Sequence, residues 1–286
     1  MSVYVSLVNM KSLLINAEQV NYGIGAFSVA NMEMVMGVIR AAEEKASPVI
    51  LQIAQVRLPY SPLHLIGPMM IAAAKNSSVP IAVHFDHGLD LTAIRAALEL
   101  GFTSVMIDAS HLPIEQNIEM VVKVKAMADD YGASVEAEVG QLGGSEDGTT
   151  DNGMFYSNPQ EVKLLYESTK VDAIALSIGN AHGLYTKEPK LNFNILSETK
   201  KLVPVPLVLH GGSGISAEDF RKSIELGIRK INIATASFLA VEEEARHYCS
   251  EEKRDYFKLS SRMVDGMYKN VTNHINIFNS NGKAWR

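Results

Sequence analysis

Along the chain, short runs of β-branched and other apolar residues alternate with longer stretches whose apolar positions recur at helical spacing. Eight such runs stand out: Ile24 to Val29, Val49 to Ile53, Ile81 to Phe85, Ser104 to Ile107, Ser134 to Glu138, Ala173 to Ser177, Leu207 to His210 and Lys230 to Ile233. Several are apolar at nearly every position rather than at every second one. That pattern belongs to strands covered on both faces, and strands alternating with helices imply parallel pairing through crossovers.

The intervening stretches carry helix starts. In Asn158-Pro159-Gln160-Glu161 an N-cap residue precedes a proline at the first helical position and a glutamate at the third, and similar logic starts a helix near Pro113. Turn signals such as Ser47-Pro48, Val79-Pro80 and Val205-Pro206 precede strands, and the glycine-rich segment Gly140 to Gly153 predicts a long mobile loop after the fifth strand. Eight strand-helix units close into one barrel. A doubly wound open sheet uses fewer strands and often shows G-x-G-x-x-G after the first, where this chain reads Ala26-Phe27-Ser28-Val29-Ala30. The expected fold is therefore α/β, a (β/α)8 TIM barrel. A C-terminal helical extension over about residues 250–286 stands outside the eight units, placed to cap the barrel or to meet a neighbouring subunit. No stretch resembles a linker, so residues 1–286 read as one domain.

With 286 residues the chain has the size of one such barrel, and 47% hydrophobic with 20% charged residues excludes disordered and fibrous classes. A net charge of −6 without long runs of like charge argues against nucleic acid or an anionic membrane as partner. An anionic substrate must then be gripped locally. The single cysteine, Cys249, forms no internal disulfide and lies far from the motifs below, which fits a reducing compartment. The segment Met1 to Val5 lacks a basic leader, and no apolar run approaches the roughly 18 residues of a membrane span. The expectation is a soluble cytoplasmic protein.

Barrel enzymes carry their chemistry at the carboxyl ends of the strands. The third strand ends in His84-Phe85-Asp86-His87, the sixth runs into Gly179-Asn180-Ala181-His182-Gly183, and the seventh ends in His210-Gly211-Gly212-Ser213. A lone histidine is usually a hydrogen-bonded structural residue, but three imidazoles on one rim suit a divalent metal with a position left open for substrate. Asp86 precedes His87 directly, so on a regular strand their side chains diverge. Its role stays open between a general acid or base and a carboxylate that orients a histidine. His84 shares the face of Asp86 in a supporting role. Asp108 and Glu138 end the fourth and fifth strands, either as transient metal ligands or as a turn cap and the partner of a cation. Glu146 falls in the glycine-rich loop, where a solvated acid is the ordinary reading. Gly211-Gly212-Ser213 and Asn232-Ile233-Ala234-Thr235, after the last two strands, occupy the place where barrels bind phosphate with backbone amides and a helix N-terminus.

These residues carry a specific likeness. Asp86-His87, Ile107-Asp108-Ala109-Ser110-His111, Glu136-Ala137-Glu138-Val139-Gly140, Gly179-Asn180-Ala181-His182-Gly183 and Leu209-His210-Gly211-Gly212-Ser213-Gly214 together resemble the class II, zinc-dependent fructose- and tagatose-bisphosphate aldolases. The likeness runs in order over essentially the whole chain. It implies that His87, His182 and His210 bind a catalytic Zn2+, with Asp108 and Glu138 holding the metal in a second, inward position. Asp86 would exchange a proton with the C4 hydroxyl of a ketose 1-phosphate or 1,6-bisphosphate, and Glu146 would handle the proton on the triose carbon. The products would be dihydroxyacetone phosphate, released through a zinc-stabilised enediolate, and an aldehyde such as glyceraldehyde 3-phosphate. Gly183, Gly211, Gly212, Ser213, Asn232 and Thr235 would grip the dihydroxyacetone-phosphate end, with a monovalent cation (Na+ or K+) nearby on backbone carbonyls.

The departures concern the substrate. Ser28 stands where members often have asparagine, and Ala54 where a hydroxyl residue often contacts substrate. Members also supply an arginine for the distal phosphate from a neighbouring subunit, and Arg254 and Arg262 stand near that place without a clear match. A non-phosphorylated aldehyde partner is thus an alternative, and the tail points to a homo-oligomer, a dimer or tetramer. Three other readings compete. A Schiff-base aldolase needs a lysine at an inner strand end, whereas Lys230 is read as beginning the eighth strand. A zinc hydrolase needs a His-x-His pair that Phe27-Ser28-Val29 lacks, and a noncatalytic barrel would have lost its acid and ligand residues.

Overall fold

The computed structural model describes residues 6–143, 155–183, 189–251 and 255–285. Glu146 and Arg254 lie outside them, as does most of the glycine-rich loop. The first half contains α1 (Met10–Val20), β1 (Ile24–Ser28), α2 (Met32–Glu44), β2 (Val49–Ala54), α3 (Leu63–Lys75), β3 (Ile81–Gly88), α4 (Leu91–Glu99) and β4 (Ser104–Ile107). The second contains α5 (Ile114–Asp129), β5 (Ser134–Val139), α6 (Pro159–Thr169), β6 (Ala173–Leu176), α7 (Phe193–Leu202), β7 (Leu207–Leu209), α8 (Ala217–Glu225), β8 (Ile228–Ile233), α9 (Thr235–Cys249) and α10 (Tyr256–Ile277). Side-chain caps fix the helix starts: Asn31, Asp90, Asn158, Asn192, Ser216 and Asp255 each accept a bond from a backbone N–H in the first turn that follows.

The eight strands pair in parallel, in chain order, and β1 closes on β8 through the register Ile24↔Lys230 to Phe27↔Ile233. This is the (β/α)8 barrel that the alternation predicts. β8 starts at Ile228, two residues before the expected start, so Lys230 lies within the strand rather than at its beginning. β3 runs on to Gly88 and takes Asp86 and His87 into the barrel wall.

Alternate residues on each strand face the interior, and their chemistry changes along the barrel axis. Toward the amino ends the inner residues are Ile24, Ala26, Ile50, Ala82, Ala173, Ala175 and Val208, which form one apolar cluster with Met10, Leu13, Leu14 and Ala17 of α1. That helix is the floor of the barrel, and the alternation gave no expectation of an element ahead of β1. Two residues further along the same faces stand Ser28, Gln52 and His84, and Glu136 of β5 and Asn232 of β8 join them, all buried. The polar half of the interior is thus set upon an apolar half closed from below.

The C-terminal helical part lies on the barrel wall. α10 packs along α9 and α2 and reaches β1 and α8, with Met267, Val271, Ile275 and Phe278 fully buried. Its approach to α2 depends on Gly37, where a Cβ would sit 2.5 Å from Met267 Cβ and 2.8 Å from the Val264 carbonyl oxygen. No helix among the described residues is long and apolar enough to cross a membrane.

Gly37→Val overpacks this contact and is expected to cost about 1–3 kcal/mol of stability. Denaturant unfolding reads the loss, and an unchanged midpoint would show that α10 does not dock here.

Candidate functional site

The centre of the site is an irregularity in β3. Pairing with β4 is regular through His84↔Ser104 and Phe85↔Val105, then slips so that Gly88 faces Ile107. Within the slip His87 has φ 44°, a left-handed conformation that non-glycine residues adopt rarely and at a cost of roughly 1–3 kcal/mol. A regular strand would send Asp86 and His87 to opposite faces, as the sequence predicts. The bulge instead turns both into one buried space, with His87 Nε2 3.9 Å from Asp86 Oδ2.

Two loops bring the other imidazoles. His210 follows β7 directly and is fully buried, and His182 lies in the loop after β6, where its backbone N–H donates to Gly143 O at 3.0 Å. Asn180, which the sequence reading passed over, fastens the two loops: its Oδ1 accepts from Ile178 N at 2.8 Å and its Nδ2 donates to His210 O at 3.0 Å. Gly211, at φ 61°, completes the contact, since a Cβ there would lie 2.1 Å from Ala181 O. The ring of His87 is 4.9 Å from that of His182 and 4.6 Å from that of His210, and one nitrogen from each lies within 4.8 Å of the others.

Carboxylates hold the far sides of two rings. His87 Nδ1 contacts Asp108 Oδ2 at 2.9 Å, and His210 Nε2 contacts Glu136 Oε1 at 2.7 Å. His210 Nδ1 and Glu138 Oε2 face each other at 3.4 Å, and both are buried without a hydrogen bond. Asp108 also accepts from Ser110, so it caps the following turn while it holds His87. A second group of donors, His87, Asp108 and Glu138, shares His87 with the three histidines. Burial pushes Glu138 up, helped by the charge of Asp108, whereas Asp108 is held well below the usual carboxylate range because His87 and Ser110 outweigh its own burial. Burial opposes a charge on His210 too, yet its bond to Glu136 and the nearby carboxylate of Glu138 raise it to about 9. Nitrogen donors braced by carboxylates, beside an unbonded imidazole nitrogen and an unbonded carboxylate oxygen, match the needs of a divalent cation such as zinc.

Asp86 rests on a buried polar layer. Asn232 Nδ2 donates to both of its oxygens at 3.2 Å, Gln52 Nε2 donates to Oδ2 at 3.1 Å and to Ser28 Oγ at 3.2 Å, and His84 Nε2 lies 3.5 Å from Oδ1. Burial alone would raise Asp86, but the charges of His87 and Lys230 and the bond to His84 hold it ionised, well below its ordinary value. His84 Nδ1 is tied to Ser104 Oγ at 2.8 Å, in keeping with its supporting place. Beneath lies the pair Lys230–Glu136 at 2.9 Å, both fully buried. Burial opposes the Glu136 charge, yet Lys230 and His210 bring that carboxyl down to about 2. Gln52 and Glu136 are not singled out from the sequence, and Lys230 enters there only as a Schiff-base candidate set aside by its place in the strand. The signal was present in the two-residue spacing of Glu136 to Glu138 and of Lys230 to Asn232.

At the rim, one cavity is lined by His182, Gly183, Gly211, Ser213, Asn232, Ala234 and Thr235. The N-terminus of α9 opens onto it, and Ser213 Oγ accepts from Ala236 N at 2.9 Å. Six of the eight residues expected to grip phosphate therefore meet here. Gly212 and Ile233 do not line the cavity: the Gly212 N–H is bound to Asn232 O at 3.0 Å, and the Ile233 side chain is buried in the apolar core.

A family model described as fructose-bisphosphate aldolase class-II matches residues 8–283. The fructose-bisphosphate aldolase of Geobacillus stearothermophilus is 37% identical over 286 residues, spanning 98% of this chain and 99% of that protein. The enzyme of the same name from Staphylococcus epidermidis is 39% identical over 253 residues, 87% of this chain and 88% of its own. Among solved structures, the YdjI aldolase from Escherichia coli K12 superposes with a TM-score of 0.88 at 32% identity, over 98% of this chain and all of the other.

Glu136→Ala deprives the buried Lys230 ammonium of its nearest carboxylate and is expected to lower stability by about 3–5 kcal/mol. Urea unfolding of the metal-free protein measures it, and a loss below about 1 kcal/mol would mean that the charge is already compensated elsewhere.

Proposed function

We propose that this chain, which belongs to the class II fructose-bisphosphate aldolase family and is an aldehyde-lyase, reversibly cleaves a fructose- or tagatose-type ketose 1-phosphate or 1,6-bisphosphate. The products are dihydroxyacetone phosphate and an aldehyde such as glyceraldehyde 3-phosphate. One observation carries the reading: an ionised, buried Asp86 stands beside three imidazoles gathered at the open end of the barrel.

His87, His182 and His210 would hold a zinc ion, with Asp108 and Glu138 available for a second, inward position. When bound, the ion supplies a positive charge against the negative charge that builds on the ketose oxygens as the C3–C4 bond breaks. Asp86 takes the proton of the C4 hydroxyl, the oxygen's electron pair becomes the aldehyde carbonyl, and the C3–C4 pair stays with the triose fragment. Hydrogen bonds from Asn232 and Gln52 hold the carboxylate in place for that transfer. We assign the return of a proton to the triose carbon to Glu146. The rim cavity, with Gly183, Gly211, Ser213, Asn232, Ala234 and Thr235 around the N-terminus of α9, suits the dihydroxyacetone-phosphate end. A monovalent cation on neighbouring backbone carbonyls, a homo-oligomeric assembly and a cytoplasmic location belong to the same reading.

Two observations favour a second reading, in which the aldehyde lacks a phosphate. Ala54, paired across the sheet with Asp86, offers no hydrogen-bonding side chain, and the Ser28 hydroxyl is already engaged by Gln52.

Assaying zinc-loaded protein with dihydroxyacetone phosphate and a panel of phosphorylated and unphosphorylated aldehydes separates the two readings and identifies the sugar. Chelation is expected to abolish turnover and added zinc to restore it. Asp86→Ala is expected to lower kcat by about 10²–10⁴-fold while zinc content stays unchanged. Turnover that survives metal removal, with an adduct trapped by borohydride, would overturn the assignment.

A further inference from the structure

Lys230 takes no part in the reaction outlined above, yet its ammonium sits inside the barrel with no exposure to solvent. Its Nζ lies 2.9 Å and 3.2 Å from the two oxygens of Glu136, 2.7 Å from Asn232 Oδ1 and 3.9 Å from Asp86 Oδ1. We propose that Lys230 is a positioning residue that sets the direction of two hydrogen-bonded branches, one ending on Asp86 and the other on His210. The proposal rests on the roles assigned to those two residues.

The first branch follows from what an ammonium can do. It donates and cannot accept, so Asn232 must turn its Oδ1 toward Lys230. The amide nitrogen then faces Asp86 and donates to both oxygens at 3.2 Å. With the amide reversed, its carbonyl oxygen would face the two Asp86 oxygens at the same distance, setting acceptor against acceptor. Lys230 therefore selects the one amide orientation that holds Asp86 as an acceptor.

The second branch runs through Glu136. The Lys230 ammonium, which only donates, contacts both of its oxygens, so both serve as acceptors, the one facing His210 included. His210 Nε2 must then carry the hydrogen and donate it at 2.7 Å. In the neutral ring that a metal requires, this leaves the lone pair on Nδ1, the buried nitrogen that makes no hydrogen bond, for the cluster with His87 and His182. One cation thus fixes an amide orientation and an imidazole tautomer on separate walls of the barrel.

The competing account is that Lys230 only neutralises Glu136. Lys230→Met alone strands that carboxylate, so the deciding variant is Lys230→Met with Glu136→Gln, which removes both charges together. It is expected to keep the wild-type unfolding midpoint while losing about 10–100-fold in kcat with KM nearly unchanged, and about tenfold in affinity for zinc measured against a chromophoric chelator. Nitrogen-15 spectra of the metal-free proteins, recorded at a pH above about 9 where the ring is neutral, are expected to show His210 as a mixture of tautomers in the variant and as one tautomer in the wild type. A double variant with wild-type kcat, zinc affinity and tautomer, or one that no longer folds, assigns Lys230 to the fold alone and overturns the proposal. If the wild type cleaves no ketose phosphate, the assigned reaction fails, while zinc affinity and the tautomer still test Lys230.

Discussion

The ion pair between Lys230 and Glu136 is the interaction on which the upper half of the barrel depends. Neither charge reaches water, and either one left alone would be far too costly to keep. Paired, they permit a carboxylate under His210 and a cation under Asn232, and through these a stable ionised Asp86. The barrel interior is accordingly divided. An apolar half on α1 gives the sheet its packing, and a polar half of matched charges and oriented amides replaces the solvent that the fold excludes.

The β3 bulge connects this interior to the rim. His87 keeps an unfavourable backbone conformation because it is held from both sides, by the bond to Asp108 and by the return of β3 to register at Gly88. The effect is geometric: a carboxylate and an imidazole adjacent in the chain serve one space. A similar economy governs the loops after β6 and β7, where Asn180 and the missing side chain of Gly211 hold His182 and His210 together.

The sequence alone was informative where the physical cause is local. Strand positions came from continuous apolar runs, helix starts from residues such as Asn158-Pro159, and the three histidines from their place at strand ends. Less was legible where the cause lies across the fold. Lys230 reads as a polar residue at a strand edge until β1 and β8 are known to close, which places it inside. Gln52 sits in a run that looks wholly apolar, and its purpose appears only with Asp86 on the neighbouring strand. The divergence expected of Asp86 and His87 assumed a regular strand, and nothing in the two residues announces the bulge. Glycine and strand-end position mark Gly212 and Ile233 as phosphate residues, and only the fold shows the Gly212 N–H bound to Asn232 and the Ile233 side chain in the core.

The floor that α1 builds has a consequence for traffic. Among the described residues α1 packs across the amino end and the cavity beside the histidines opens at the rim, so an ion, sugar or product would share that rim in both directions. Whatever binds last stands in the path of whatever bound first. An ion seated among the histidines is then shielded by any sugar occupying the mouth, and its exchange with solvent is governed by the departure of the sugar as much as by its own ligands.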